Sequence, residues 1–113
     1  MWTDTLARKT YTYSAIVTAG HLKEYQLLLE KAIILVRQAR QGNLGARDHA
    51  QDIVAQVQNS LNLEQGPARH LFEVLGFVWD ALEWNGPVYY DRAEDLIRQM
   101  REIVIDVQHR ERR

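Results

Sequence analysis

The sequence predicts an all-α protein: an antiparallel, up-down-up-down four-helix bundle with a loosely attached N-terminal segment. Three observations lead there. Leu22, Tyr25, Leu29, Ala32, Val36 and Ala39 recur at spacings of three and four, with no Gly or Pro between them. Three further stretches of similar length repeat that spacing, separated by short breaks rich in Gly, Asn and Pro. No stretch alternates apolar and polar residues between turn signals, so strands are not expected. Helices of like length on short loops pack as antiparallel neighbours.

Residues 1–19 hold no sustained seven-residue repeat and form an expected arm or cap, with a sticky apolar segment at Tyr11, Tyr13, Ile16 and Val17. The bundle is expected over 20–109, followed by a short charged tail at 110–113. The first helix should run from about Gly20 to Arg40. Leu28, Ile33 and Leu35 widen its seam, and Leu27 and Ile34 lie off to one side. Gln41-Gly42-Asn43-Leu44-Gly45 stops it, since Gly and Asn accept the left-handed backbone of a helix end. The second helix should run from about Ala46 to Leu61, with Ala50, Ile53, Val54, Val57 and Leu61 inward.

After a break at Asn62 to Gly66, Pro67 suits a first helical position, which has no intrahelical N–H bond to lose. The third helix reaches about Trp84. Ala68, Leu71, Leu75, Val78 and Leu82 are its seam, Phe72 and Trp79 lie beside it, and Val74, Phe77, Ala81 and Trp84 extend it round another side. It is the most apolar of the four. Asn85-Gly86-Pro87 ends it. The fourth helix should run from about Tyr89 to His109, its seam formed by Tyr89, Ala93, Leu96, Met100, Ile103 and Val107, with Tyr90, Ile97 and Val104 alongside.

Composition narrows the function. A chain of 113 residues makes one domain with one core. A formal charge of −1 opposes a generic polyanion binder, which needs a clustered basic face. Arg37, Arg40, Arg47, Arg98 and Arg101 read as scattered among acids, and Arg110-Glu111-Arg112-Arg113 reads as cations at a helix C-terminus, so no nucleic acid is expected. Without cysteine there is no disulfide, thiolate metal site or thiol nucleophile. The start Met1-Trp2-Thr3-Asp4 lacks the basic and apolar regions of a signal peptide, and no apolar run is long enough to span a bilayer. The expected location is the cytoplasm.

Chemistry is sparse. His21 with Glu24, His49 with Asp52, His70 with Glu73, and Asp106 with His109 stand three apart, on neighbouring helical turns. They flank seam residues instead of replacing them, so they should face water and bind no metal. Ser14 and Ser60 lie in no Gly-x-Ser-x-Gly, and the Gly42 to Gly45 loop lacks the lysine of a phosphate cradle. The seams contain no Asp, Glu or His to titrate in a desolvated pocket. Neither an enzyme nor a cofactor is expected. What remains is apolar surplus at Leu27, Ile34, Val74, Phe77 and Trp84: a thick core, a dimer face, or a groove for a partner's amphipathic helix.

Three stretches resemble the FliS family of flagellar secretion chaperones. Tyr13-Ser14-Ala15-Ile16-Val17-Thr18-Ala19 is similar to the family's N-terminal Tyr, spacer, aliphatic and Thr-Ala pattern. Leu28-Leu29-Glu30 with Ala32-Ile33 is similar to its first-helix Leu-Tyr-Asp-Gly-Ala/Leu-Ile/Leu. Asn59-Ser60-Leu61-Asn62-Leu63-Glu64-Gln65-Gly66 resembles its Asn-Ser-Leu-Asp/Asn-x-Glu-x-Gly after helix two. The likeness covers about residues 11 to 108. Gly20-His21 replaces the family's Ser/Thr-Pro, and Leu29-Glu30-Lys31 replaces its Tyr-Asp-Gly, as in a divergent member.

The resemblance implies a non-catalytic cytoplasmic chaperone. It would bind the C-terminal helical segment of flagellin, prevent premature polymerisation and deliver the subunit to the flagellar type III export gate. By matching position, Tyr13, Ile16, Val17, Thr18 and Ala19 would form a cover or hinge, Leu28 and Leu29 would line the groove, and Asn59, Leu61 and Asn62 would shape the corner after helix two. Helical geometry adds Leu27, Ile34 and Phe77. The alternative is a structural homodimer that buries the surplus against its own copy.

Overall fold

The computed structural model describes residues 22–111 apart from 62 and 65, and not the side chains at 22, 66–68, 107, 110 and 111. Four helices follow one another: α1 (Leu22–Arg40), α2 (Leu44–Asn59), α3 (Gly66–Trp84) and α4 (Pro87–Glu111). The expected N-terminal arm, with Tyr13, Ile16, Val17, Thr18 and Ala19, lies outside the described residues, as does Asn62.

The helix ends follow local chemistry. Glu24 sits in the first turn of α1 and Arg37 and Arg40 in the last, each sign where the helix dipole favours it. Gly42 adopts φ 104°, a left-handed backbone that a side chain would strain, and its N–H donates to the Ala39 carbonyl at 2.9 Å. Asn43 caps α2, its side chain accepting from Ala46 N–H at 3.0 Å. That cap starts α2 two residues before the expected Ala46 and draws Gly45 into its first turn. Ser60 closes α2, its hydroxyl donating to the Val57 carbonyl at 2.7 Å. Asn85 turns left-handed at φ 56° after α3, and Pro87 opens α4 ahead of the expected Tyr89, the position a proline favours.

Cross-helix bonds fix the directions. Tyr25 near the start of α1 bonds its hydroxyl to that of Ser60 at the end of α2. Gln51 donates to the Trp79 carbonyl and Gln58 to the Phe72 carbonyl, so α2 and α3 run oppositely. Gln108 donates to Gln26, while Arg40 pairs with Asp91, so α4 runs opposite to α1. Helix α1 packs on α2 and α4, and α3 packs on the same two, placing α1 and α3 across a diagonal. The fold is an antiparallel four-helix bundle. The described part measures 42 × 25 × 24 Å.

The core is the expected one on three helices. Tyr25, Leu29, Ala32, Val36 and Ala39 of α1 meet Ala50, Ile53, Val54, Val57 and, just beyond α2, Leu61. Leu71, Leu75, Val78 and Leu82 of α3 are fully enclosed. On α4 the seam is partly rotated: Tyr90, Ala93, Ile97, Met100 and Val104 form its centre with the expected Ile103 buried beside them, while Leu96 is half-buried and Tyr89 is 42% exposed. Both readings of α4 share Ala93, Met100 and Ile103, so spacing alone does not choose between them. The tyrosine hydroxyl does, because Tyr90 donates to Asn85 at the α3 cap and is held inward there. Burial raises the Tyr90 pKa; the nearby Arg47 charge opposes that shift and Asp48 adds to it.

Candidate partner-binding surface

The surplus apolar residues divide between two faces. Leu27 and Ile34 are each 54% exposed and stand seven residues apart, two turns along the outward face of α1. Phe77, 43% exposed, and Trp84, 55% exposed, stand seven apart on α3. Their rings meet edge-on at 6.4 Å and 84°. Trp84 in turn meets Tyr89 of α4 at 5.0 Å and 61°, and Val88 beside them is exposed. Edge-to-face contacts hold these rings in place, so this face offers large apolar area at a small ordering cost. Val74 is half-buried and packs on the core.

A single groove lined by Leu27, Leu28, Leu29, Ile34 and Phe77 is not what the fold provides. Successive helical residues point about 100° apart, so Leu27, Leu28 and Leu29 cannot face one partner together. Leu27 is exposed, Leu28 is half-buried against the core, and Leu29 is 2% exposed within it. Phe77 lies on α3, across the diagonal from Leu27 and Ile34 on α1. Beyond α2, Leu61 is a core residue and offers no surface, while Asn59 is exposed on the last helical turn.

The fold also gathers residues that the sequence scatters. Arg37 and Arg40 of α1 and Arg98 of α4 converge on one carboxylate, Glu94, whose side chain is only 12% exposed. Arg98 Nε lies 2.8 Å from it, Arg40 Nη2 3.2 Å and Arg37 Nε 3.4 Å. Glu94 thus corrects the expectation that no acid lies at a seam: it is enclosed at the α1–α4 edge because three guanidinium groups neutralise it. Arg40 also pairs with Asp91. One heptad earlier on α1 than Arg37, Glu30 accepts from Arg101 Nε at 2.9 Å and from Gln26 at 3.3 Å. The Arg101 bond, then the Gln26 bond, hold its carboxyl below the ordinary value.

Glu30, Ile33, Ile34, Arg37, Arg98 and Arg101 line an open cleft of about 410 Å³ between α1 and α4. The spacing of Arg37 to Arg40, and of Glu94 to Arg98 and Arg101, already put each set on one helix face. The up-down-up-down order, which sets α4 beside α1, was the further signal that could have joined them. Arg47 stays apart, paired with Asp48 at 3.0 Å, and that bond raises its pKa.

Of the His–carboxylate pairs, His49 with Asp52 and His70 with Glu73 are exposed. His109 is exposed and Asp106 half-buried, with its Oδ2 enclosed. His21 lies outside the described residues. Among the described residues no three His, Asp or Glu side chains gather as a metal-ligand set, and no helix is long and apolar enough to cross a membrane. Compared with known proteins, the chain matches no family model, no curated protein and no solved structure.

Proposed function

We propose that the chain is a non-catalytic export chaperone, a divergent relative of the FliS chaperones. In the cytoplasm it holds the C-terminal helical segment of flagellin and passes it to the flagellar type III export gate. The observation that carries this reading is exposed apolar surface on a bundle whose core is already complete. Leu27 and Ile34 on one side, and Phe77, Trp84 and Tyr89 on another, are not needed to fill the interior. Apolar patches left on a bundle of this size mark an interaction surface. The three sequence stretches that resemble the family supply the identity of the client.

The two-sided layout favours a client that wraps. A segment that covers both faces must pass round a bundle about 25 Å across, as two helices joined by a turn do. Such a client folds as it binds. It loses chain entropy and gains about 25 cal/mol for each Å² of apolar area it buries. Release then needs only competition at the export gate, with no nucleotide.

Calorimetric titration with a synthetic peptide of the C-terminal helices of the host flagellin tests this reading, on the full chain and on a chain beginning at Gly20. Saturable binding with a negative heat-capacity change is expected. Tighter binding after truncation identifies residues 1–19 as a competing cover, and weaker binding makes them part of the site. No binding, together with a stable dimer by light scattering, overturns the chaperone reading in favour of self-association through the same apolar faces.

A further inference from the structure

We propose that the α1–α4 cleft is a carboxylate clamp for an acidic amphipathic helix. Ile34, with Leu27 two turns earlier on α1, takes the helix's apolar stripe, and the terminal nitrogens of Arg37 and Arg98 take an acidic side chain at the stripe's edge. This deepens the chaperone reading and rests on it only for the identity of the client.

The charge balance of the seam leads to the ligand's sign. Four arginines (Arg37, Arg40, Arg98 and Arg101) share three carboxylates, those of Glu30, Asp91 and Glu94. The geometry leads to its shape. Arg37, Arg98 and Arg101 each hold their acid through Nε alone. No bond among the described residues uses their terminal nitrogens, and these side chains are 47%, 46% and 37% exposed. A guanidinium bound through Nε still has an edge of two parallel N–H groups, which matches the two oxygens of a second carboxylate. Ile34 stands beside these groups, half open to solvent, and Leu27 continues the apolar line two turns earlier on α1.

The same features discriminate among occupants. A second copy docked on this face by a two-fold axis brings the arginine-rich edge against itself. A nucleic-acid backbone meets Glu30, Asp91 and Glu94 among the arginines and has no apolar stripe to cover Ile34. A helix with leucines spaced by three and four and glutamates at the stripe's edge satisfies both halves of the cleft.

The test uses two fluorescein-labelled helical peptides of one length and one leucine stripe, with flanking Glu in one and Gln in the other. Their binding to the full chain is read by anisotropy at low and high salt. The Glu peptide should bind about tenfold tighter at low salt, the worth of one charge-assisted bond, and the margin should shrink in high salt. The double variant Arg37→Gln/Arg98→Gln should bring the two peptides together. Arg37→Lys/Arg98→Lys, which keeps charge but loses the fork, should keep part of the margin. Arg101→Gln is the reserve variant if circular dichroism finds the double variant unfolded.

Equal binding of the two peptides, no binding of either, or a margin that survives Arg37→Gln/Arg98→Gln overturns the clamp. A full margin in the lysine variant overturns the fork. Flagellin-tail binding that ignores the arginine variants removes the clamp and leaves the chaperone reading. An arginine-dependent Glu peptide with no flagellin binding does the reverse.

Discussion

Between α2 and α3 the bundle is laced by glutamine amides, and between α1 and α4 chiefly by arginine–carboxylate pairs, with one Gln108–Gln26 bond beside them. Gln51 is buried and donates both to the Trp79 carbonyl at 3.2 Å and to Glu83 at 2.9 Å; Gln58 reaches the Phe72 carbonyl at 3.0 Å. Such bonds set register and leave little for a partner to exchange, because an amide stripped of its acceptor in a dry seam is costly. The arginines opposite are a third to a half exposed. Pairs of that kind are worth about 0–1 kcal/mol each, so trading one for a partner's carboxylate is cheap. The first seam is built to stay shut. The second keeps its guanidinium groups partly in water, where a partner can reach them.

The largest expected effects lie where the seams do not differ. Leu75 of α3 and Ile97 of α4 are fully buried. Replacing either by Ala should cost about 2–5 kcal/mol in urea unfolding, through the cavity left behind. Gln51→Ala comes next. It removes a donor with two acceptors and should cost about 1–3 kcal/mol, with little change between low and high salt. Glu94→Gln leaves three guanidinium groups without their shared charge and should cost about 1 kcal/mol at low salt and less in about 0.5 M salt. Equal losses for Glu94→Gln at both salt levels would erase the distinction between the seams.

The acid limb of stability sharpens the same contrast. Because Arg101, then Gln26, hold the folded Glu30 pKa below its ordinary 4.5, the pair's contribution is present above that value. It is lost as pH falls through 4.5 toward the folded value. Stability followed by thermal melting from neutral to acid pH should therefore drop more steeply in the natural chain than in Arg101→Gln. The smallest stability effect is expected for Leu27→Ser with Ile34→Ser, about 0.5 kcal/mol or less per site, since neither side chain packs in the core.

Much of the fold was legible because each helix carries its own signal. Residues 22–39 repeat their apolar positions without a break, and Asn43, Pro67 and Asn85-Gly86-Pro87 mark ends by chemistry that acts within a turn or two. The α4 seam was less legible. The 89–96–103 and 90–97–104 rows are equally apolar; Ile103 and Val104 are both buried, and at the start of the helix the Tyr90 to Asn85 bond at the α3 cap turns Tyr90 inward and leaves Tyr89 exposed. For the surface, periodicity correctly left Leu27, Ile34, Phe77 and Trp84 outside the seams. It could not place Phe77 across the diagonal from the others, nor gather Arg37, Arg40 and Arg98 on Glu94. Those are properties of helices placed side by side, which the periodicity within one helix does not report.

The central claim is that the outward apolar residues serve a partner and not the fold. The most direct measurement is calorimetric titration of the flagellin C-terminal peptide into the full chain and into the Leu27→Ser/Ile34→Ser variant, each first checked for unchanged melting. Saturable binding to the natural chain with a negative heat-capacity change is expected, weakened about tenfold or more in the variant through the loss of two large apolar contacts. Equal affinity for both chains, or a variant that no longer folds, would contradict that claim.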